Sequence, residues 1–344
     1  MGEMEPKTLW KVEMELLRQT TLELGGAARR FVVARRASEL VDVVRDCDAR
    51  GEPVFVLGGG SNVVFGDAGF DGTVVHVATR GIEIADEISV AAGEPWDDFV
   101  AWAVRRGLAG VECLSGIPGL VGATPIQNVG AYGQEVKDTI TRVRAWDRKD
   151  SRVVDLENVE CRFSYRHSML KESARWVVLR VTFALSVQSA RIRYAELARA
   201  IGGEAAPVAR VRETVIALRR GKGMVLDPQD PDTRSAGSFF VNPMMDEAAY
   251  AALAARAGES PPRFASDDGR VKVPAAWLIE HAGFAKGTAR GRVAISSKHA
   301  LALTNRGGAT AAELLALARE IRDGVLARFG VTLAPEPVLV GCSI

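Results

Sequence analysis

The stretch from Gly116 to Gly133, called here the glycine-rich stretch, constrains the fold of this chain more than any other. It contains no charged residue, yet it has too many glycines and prolines for a membrane helix. We predict irregular backbone that is buried, with its N–H and C=O groups directed at a molecule other than protein. A large, flat cofactor with polar edges is the first candidate. A glycine-rich crossing between packed elements is the alternative, and this stretch alone does not separate the two.

The composition limits the classes of protein to which the chain can belong. Its 344 residues predict two or three domains, and 47% hydrophobic with 25% charged residues is ordinary for a globular protein. A formal net charge of +1 gives no electrostatic case for binding nucleic acid or a membrane surface. The N-terminus does not resemble a signal peptide, and no apolar run is long enough to span a bilayer.

The cysteines and histidines do not form a metal-binding pattern. Four cysteines and four histidines are scattered along the chain without the spacing of metal ligands. This distribution predicts a reducing cytoplasm, and it argues against both a zinc site and a histidine-based metal centre.

Apolar spacing and turn residues predict the secondary structure. The predicted helices cover about 37–50, 95–106, 208–220, 246–257, 277–281 and 310–329, and the last begins with the capping box Thr310-Ala311-Ala312-Glu313. The predicted strands cover 53–57, 63–65, 73–77, 88–92, 143–147, 176–185 and 335–340. The segment 227–236, rich in Asp, Pro and Ser, is predicted to link two domains.

A second glycine-rich feature follows the strand at 53–57. Gly58-Gly59-Gly60-Ser61-Asn62 offers several backbone N–H groups to a phosphate. A Rossmann site would continue into a helix, whereas here Val63-Val64-Phe65 continues as a strand. The pattern favours a phosphate-binding loop of a non-Rossmann kind, and a plain hairpin turn is the alternative.

Five separated segments together resemble one family. They are Gly58-Gly59-Gly60-Ser61-Asn62, the glycine-rich stretch, Tyr165-Arg166, Gly237-Ser238-Phe239-Phe240-x-Asn242-Pro243 and Pro335-Glu336. Their order and spacing are similar to those of the UDP-N-acetylenolpyruvoylglucosamine reductases, the MurB enzymes of peptidoglycan synthesis. The resemblance covers nearly the whole chain.

The resemblance implies an α+β flavoprotein with three domains. Two domains would hold FAD without a covalent bond, in the fold of the vanillyl-alcohol-oxidase-like flavoproteins, and a C-terminal α+β domain would bind substrate. The implied bounds are 1–78 together with the strand at 333–344, then 79–225 with an inserted segment at 186–206, then 226–332. The implied protein is cytoplasmic and monomeric, acts on small molecules, and binds neither nucleic acid nor a membrane.

The resemblance also implies the reaction. NADPH would reduce the flavin and leave, and UDP-N-acetylglucosamine-enolpyruvate would enter the same site. The flavin N5 would give a hydride to the enol-ether methylene carbon, forming UDP-N-acetylmuramate for the cell wall. Arg166 matches the arginine that holds the resulting negative charge, Ser238 matches the proton donor, and Glu336 matches an assisting carboxyl group.

Further residues match binding positions of the family. The implied FAD contacts are Gly58, Gly59, Gly60, Ser61, Asn62, Gly116, Ile117, Pro118, Gly119, Gly122, Asn128, Gly130, Ala131 and Arg219. The implied substrate contacts are Tyr194, Lys222, Asn242 and His281, with Tyr194 marking the larger family type in which an inserted segment covers the substrate. A helix-end cap is the alternative role for His281. No metal ligand is implied.

Alternatives exist for the three catalytic residues and for the function. Taken singly, Arg166 fits a surface or ion-pair residue, Ser238 a helix cap and Glu336 a salt bridge. Pro337-Val338 also departs from the family, which commonly has an aliphatic and then a basic residue after this glutamate. An FAD-dependent alcohol or hydroxy-acid oxidase is the second hypothesis, although residues 58–65 contain no histidine for a covalent flavin link. A non-catalytic nucleotide-sensing flavoprotein is the third.

Overall fold

The computed structural model describes residues 10–187, 192–266 and 268–344, and for residues 10–13 it describes the backbone alone. The described chain forms two compact units. The first contains residues 10–14, 28–60 and 70–220, and the second contains 15–27, 61–69 and 221–344. The predicted inserted segment at 186–206 belongs to the first unit, and its residues 188–191 lie outside the described residues. The division into three domains stays a prediction.

Strands and helices alternate irregularly along the chain. The strands are β1 (Trp10–Glu15), β2 (Ala27–Ala34), β3 (Val54–Leu57), β4 (Val63–Phe65), β5 (Phe70–Val77), β6 (Ile82–Ile84), β7 (Ile88–Ala91), β8 (Gly130–Ala131), β9 (Gln134–Glu135), β10 (Ile140–Asp147), β11 (Arg152–Glu157), β12 (Trp176–Phe183), β13 (Ser235–Ser238), β14 (Met244–Met245), β15 (Phe264–Ala265), β16 (Val271–Lys272), β17 (Ala289–Arg290), β18 (Val293–Ile295), β19 (Ala302–Asn305) and β20 (Val338–Val340). The α-helices are α1 (Ala37–Arg50), α2 (Trp96–Arg105), α3 (Ala195–Ile201), α4 (Val208–Gly221), α5 (Glu247–Ala257), α6 (Ala275–His281) and α7 (Ala311–Phe329).

The first unit contains a four-stranded sheet with the order β1-β2-β5-β3, in which β5 runs parallel to both β2 and β3. Helix α1 packs on this sheet through Leu40, Val43, Val44 and Cys47, the apolar face predicted from the sequence. Gly51 ends the helix with a φ of 65°, a left-handed conformation that glycine adopts without a steric cost.

An antiparallel sheet with the order β11-β10-β12-β7-β6 forms the rest of the first unit's framework. Helix α2 contributes the buried Trp96 and Phe99, and the ring centroid of Phe99 lies 5.0 Å from that of Phe183 on β12. Each such buried side chain stabilises the fold by about 1.5–3 kcal/mol. Trp96 Nε1 donates to Leu114 O at 3.0 Å, so this core also anchors the chain just before the glycine-rich stretch.

The second unit is built around helix α7 and the antiparallel sheet β13-β19-β18-β17. The predicted capping box is confirmed, because Glu313 N donates to Thr310 Oγ1 at 3.2 Å and Thr310 N donates to Glu313 Oε2 at 2.8 Å. The predicted apolar face is buried along the whole helix and comprises Leu314, Leu317, Ile321, Val325 and Phe329.

The segment 227–236, predicted to be an interdomain link, is instead packed within the second unit. Asp232 is 3% exposed and accepts hydrogen bonds from Ser297 N and Oγ. It also forms an ion pair with Arg306. Asp230 accepts from Lys298 Nζ at 2.6 Å. The acidic and proline-rich composition that resembled a linker forms a 3-10 turn capped by the Asp230 side chain, and the carboxylates of Asp230 and Asp232 are paired within the second unit.

Candidate active site

The glycine-rich stretch of the first unit is held by its backbone against β7 and α2. Trp96 N donates to Gly119 O at 3.0 Å, and Gly122 N donates to Ala92 O at 2.8 Å. The backbone of the stretch is largely irregular, and every residue except Gly133 is buried or half-buried. The predicted irregular, buried backbone is therefore confirmed.

At Gly59, the loop Gly58–Gly60 approaches the glycine-rich stretch so closely that no side chain fits between the two segments. A Cβ atom at Gly59 would lie 2.7 Å from the Cα of Gly119. Gly60 and Gly119 have φ angles of 65° and 121°, which L side chains rarely adopt. A pyrophosphate and a flat ring system require this kind of bare backbone surface. The residues present therefore fit FAD.

A half-buried ion pair between Asp97 and Arg212 holds the first residue of the glycine-rich stretch. Asp97 accepts from Gly116 N at 2.6 Å, and its two carboxylate oxygens accept from Arg212 Nη1 and Nη2 at 2.6 and 2.7 Å. Burial raises the pKa of the Asp97 carboxyl group, but the hydrogen bonds from Arg212 and Gly116 outweigh it and hold the pKa below its usual value. Helices α2 and α4 thus position the start of the stretch.

Arg219, the predicted flavin contact on α4, lies in a cluster with two tyrosines. Burial lowers the pKa of the Arg219 guanidinium to about 10, while Tyr132 and Asp97 act in the opposite direction, so it remains charged at neutral pH. Burial raises the pKa of the Tyr132 hydroxyl to about 12. The Tyr132 ring meets the Tyr194 ring edge-on, with the centroids 5.5 Å apart. Tyr132 therefore connects a predicted cofactor contact with a predicted substrate contact.

Arg166 lies in a tight turn of the first unit. Ser164 and His167 exchange two backbone hydrogen bonds of 3.0 and 3.2 Å, which places Tyr165 and Arg166 at the tip of the turn. Arg166 Nη2 donates to Gly130 O at 2.8 Å. The predicted catalytic arginine and a predicted cofactor contact are thus adjacent.

In the second unit, backbone hydrogen bonds bring Ser238 and Glu336 into neighbouring positions. Ser238 ends strand β13, and Glu336 N donates to the carbonyl oxygen of the next residue, Phe239, at 2.8 Å. Phe240 forms an isolated antiparallel bridge with Pro335. Both Ser238 and Glu336 are half-buried, so each side chain is accessible to a ligand. Arg166 belongs to the first unit, whereas Ser238 and Glu336 belong to the second.

Asn62, the last residue of the predicted phosphate loop, lies beside Glu336. Its Nδ2 donates to Glu336 O at 3.5 Å, and its carbonyl oxygen accepts from Val338 N at 3.0 Å. The pairing continues as the parallel strands β4 and β20. Asn62 and the predicted catalytic Glu336 therefore both lie just before a pair of neighbouring parallel strands.

The predicted substrate contacts of the second unit have different surroundings. Lys222 is half-buried directly after α4. Asn242 Oδ1 accepts from Ala275 N at 2.9 Å, so this side chain also fixes the start of α6. His281 ends α6, where its ring stacks on Trp277 with the centroids 3.9 Å apart and its Nδ1 is 2.8 Å from Trp277 O. This placement matches the helix-end role named as the alternative for His281.

Several residues of the site were not identified from the sequence. Asp97 and Arg212 carried no signal, because an acidic residue in the first turn of a helix is typical of any helix N-terminus. Tyr132 lies within the glycine-rich stretch and Glu135 lies two residues after it, and this proximity was the signal that could have found them.

The described part of the chain contains neither a metal-binding cluster of side chains nor a helix suited to spanning a membrane. Within residues 10–187, 192–266 and 268–344, no three His, Cys, Asp or Glu side chains are grouped so as to hold a metal ion. In the same ranges, no helix combines the length and the apolar character that crossing a bilayer requires.

Two family models match the chain. Residues 28–157 match the FAD binding domain, and residues 228–340 match the C-terminal domain of UDP-N-acetylenolpyruvoylglucosamine reductase. The first match covers Gly58 to Asn62 and the glycine-rich stretch, and the second covers Ser238 and Glu336. The predicted α+β fold class, with an FAD-binding part followed by a C-terminal part, is confirmed.

Relatives match along nearly the full length. The UDP-N-acetylenolpyruvoylglucosamine reductase of Streptomyces coelicolor is 55% identical over 339 residues, which cover 94% of this chain and 88% of that protein. The corresponding reductase of Salinispora arenicola is 55% identical over 348 residues, covering 96% of each chain. The crystal structure of the reductase from Thermus caldophilus is similar with a TM-score of 0.69 and 26% identity, covering 96% of this chain and all of that one. This chain belongs to the UDP-N-acetylenolpyruvoylglucosamine reductase family.

Proposed function

We propose that this chain reduces the enolpyruvyl group of UDP-N-acetylglucosamine-enolpyruvate to give UDP-N-acetylmuramate. The observation that carries the proposal is the presence of both family models on one chain whose relatives align over 94% of it at 55% identity. The chain is an FAD-containing oxidoreductase of peptidoglycan precursor synthesis, and NADPH is its reductant.

The reaction places two demands on the protein. Bound FAD supplies the hydride, which it takes from NADPH. Hydride addition to the enol-ether methylene carbon moves the double-bond electrons to the neighbouring carbon, where the substrate carboxylate shares the negative charge. The protein must stabilise that charge and then deliver a proton to the same carbon.

Three side chains are suited to these demands. The Arg166 guanidinium is planar and permanently charged, so it can bind the developing charge through two parallel N–H groups. Ser238 donates its hydroxyl proton to the carbon. A serine is a weak acid, and this role therefore needs close placement and a route for reprotonation. Glu336 lies near Ser238, because Glu336 N donates to the carbonyl oxygen of Phe239, the residue after Ser238. Its carboxyl group assists the same intermediate.

The remaining side chains bind and orient the ligands. Gly58–Asn62 and the glycine-rich stretch would hold FAD mainly through backbone groups, and Arg219 would approach its flavin ring. Lys222, Asn242 and Tyr194 would bind the sugar nucleotide. Tyr194 is 43% exposed and its ring rests on Tyr132, so its position supports a role in covering a bound ligand.

A single assay tests the proposal. The purified protein should carry bound FAD, and it should oxidise NADPH rapidly after UDP-N-acetylglucosamine-enolpyruvate is added. Protein that cannot be reconstituted with FAD, or whose reduced flavin is reoxidised only by oxygen, would contradict it. The second outcome would favour the oxidase hypothesis.

We also propose that the enzyme acts as a monomer in the cytoplasm. Cys47, Cys113, Cys161 and Cys342 are all free thiols, which is compatible with a reducing compartment. Sedimentation velocity would measure the oligomeric state, and a dimer at micromolar concentration would contradict the monomer.

A further inference from the structure

We infer that Asn128 is a positioning residue for Arg166, which it holds through the carbonyl group of Ser164. This inference rests on the proposed function, because it concerns the step in which Arg166 stabilises charge on the substrate. The side chain of Asn128 would then act on substrate reduction and not on cofactor binding.

The turn that carries Arg166 needs support from outside. Arg166 has a φ of 53°, in the left-handed region that a long side chain rarely occupies. Such a conformation costs about 1–3 kcal/mol and persists where neighbouring groups enforce it. The hydrogen bonds between Ser164 and His167 close the turn, but they do not tie it to the rest of the site.

Asn128 supplies that tie. Its Nδ2 donates to Ser164 O at 3.0 Å and to Glu135 Oε2 at 2.9 Å, while its Oδ1 accepts from Lys137 N at 3.1 Å. The residue is 0% exposed. The Asn128 amide group therefore connects the glycine-rich stretch with strand β9 and with the turn of Arg166. Its Nδ2 donates both of its hydrogen bonds to protein oxygens.

Two further contacts show that the turn is held on both sides. Lys171 Nζ donates to Arg166 O at 3.2 Å, and Arg166 Nη2 donates to Gly130 O. Gly130 lies two residues after Asn128, so the anchor of the turn and the contact of the guanidinium belong to the same short segment. Displacement of the turn would therefore move the guanidinium relative to Gly130.

The substitution Asn128→Asp isolates this role. Aspartate has nearly the same shape and also tolerates a left-handed φ, which is 46° at this position. Its carboxylate still accepts from Lys137 N, but it cannot donate to Ser164 O and it faces the carboxylate of Glu135. The contact with the turn becomes repulsive without a change in side-chain volume.

The two half-reactions are measured separately under anaerobic conditions, by the absorbance of bound flavin. We expect Asn128→Asp to slow reoxidation by UDP-N-acetylglucosamine-enolpyruvate roughly 10- to 100-fold, the cost of a misplaced catalytic group. Reduction by NADPH and the Kd for FAD should change by less than about threefold, because neither depends on charge stabilisation at the substrate. In an Arg166→Ala background, Asn128→Asp should have almost no further effect on reoxidation.

Asn158→Asp is the matched control. Asn158 Nδ2 also donates to two carbonyl oxygens, those of Lys137 and Ile140, at 2.9 and 2.7 Å. It supports the same region without contacting the turn, so its loss should affect both half-reactions alike.

Three results would overturn the inference. The first is that Asn128→Asp slows both half-reactions equally. The second is that Asn128→Asp raises the Kd for FAD but leaves the rate of reoxidation normal. The third is that Asn128→Asp slows reoxidation by the same factor in the Arg166→Ala background as in the wild type. A wild-type flavin that NADPH reduces but the enolpyruvyl substrate does not reoxidise would contradict the proposed function instead.

Discussion

At the scale of single residues, the placement of Ser238 depends on backbone hydrogen bonds and not on its own side chain. Phe239 N donates to Leu301 O at 2.7 Å, and Phe239 O accepts from Glu336 N. These bonds fix the end of β13 from both sides. The Ser238 hydroxyl can therefore be removed without disturbing the segment that presents it.

We expect Ser238→Ala to separate the two half-reactions. Flavin reduction by NADPH should stay near the wild-type rate, because it needs no proton from this hydroxyl. Reoxidation by UDP-N-acetylglucosamine-enolpyruvate should fall roughly 10²- to 10⁴-fold, the usual contribution of a positioned general acid. Anaerobic stopped-flow absorbance of the flavin measures both rates.

Ser235→Ala is the control for this prediction. Ser235 lies on the same strand, and its Oγ accepts from Gly237 N at 3.2 Å. Its loss should reduce stability slightly and leave the ratio of the two rates unchanged. If Ser238→Ala reoxidises at the normal rate, another group donates the proton.

The residues that contact ligands were easier to predict than those that position them. Arg166, Ser238 and Glu336 were predicted because they match motif positions of the family, and their roles remain proposals. Asp97 was not identified from the sequence, and Asn128 was predicted as an FAD contact and not as a positioning residue. Their hydrogen-bond partners Arg212 and Ser164 are distant along the chain. Such pairs follow from the fold, which local sequence does not reveal.

At the scale of elements, α2 and α4 are joined by the Asp97–Arg212 ion pair, which also holds Gly116 N. Asp97→Asn should lower the free energy of unfolding at pH 7 by roughly 1–2 kcal/mol, since a charged hydrogen-bond acceptor is lost. The side chain of Asp97 is 37% exposed, so solvent screening keeps the effect moderate.

The effect should depend on pH. In the folded protein the pKa of Asp97 lies below its value in the unfolded chain, which is about 3.9. The stability that the ionised Asp97 contributes is therefore complete above the unfolded pKa, and it is lost as the pH falls through the folded pKa. The difference between wild type and Asp97→Asn in urea unfolding should therefore be full at pH 6 and should shrink below about pH 4. Asp98→Asn, an exposed neighbour in the same helical turn, is the control. A constant difference across this range would contradict the role of the ion pair.

The close approach of Gly58–Gly60 to the glycine-rich stretch gives a second prediction at this scale. Gly59→Ala should lower the stability by roughly 1–3 kcal/mol, because the new Cβ meets backbone that cannot move aside. It should also weaken FAD binding, since the two segments would separate.

Gly58→Ala tests whether the effect comes from this contact. A Cβ at Gly58 would meet the Ala123 Cβ at 3.7 Å, an ordinary van der Waals distance. The melting temperature of Gly58→Ala should therefore stay close to that of the wild type, while that of Gly59→Ala falls. Equal melting temperatures for the two variants would contradict the proposed close packing.

Elements with a clear apolar period were predicted well, and pairing between distant segments was not. The apolar faces of α1 and α7 are confirmed, including the terminal glycines Gly51 and Gly330. The order of strands in the sheets did not follow from the sequence. Short strands such as β8 and β9 have too few residues to show a period of two.

At the scale of the whole molecule, the second unit is assembled from segments at opposite ends of the chain. Strand β4 pairs with β20, and Asn305 Nδ2 donates to Leu22 O at 2.9 Å. Asp67, in the turn after β4, accepts from Ala311 N and Ala312 N at 2.7 and 2.9 Å. The N-terminus of α7 is therefore capped by a residue 244 positions earlier in the chain.

We expect Asp67→Ala to lower the free energy of unfolding by about 1–2 kcal/mol, the cost of losing a helix cap, because two N–H groups of α7 lose their acceptor. The capping box of Thr310 stays intact, so the helix itself should remain. Asp71→Ala is the matched control: Asp71 is 91% exposed, and its ion pair with Arg29 should contribute no more than about 1 kcal/mol. Urea unfolding of both variants measures the difference. If Asp67→Ala and Asp71→Ala unfold at the same urea concentration, this contact between the early and late parts of the chain does not stabilise the unit, and the β4–β20 pair would have to do so without it.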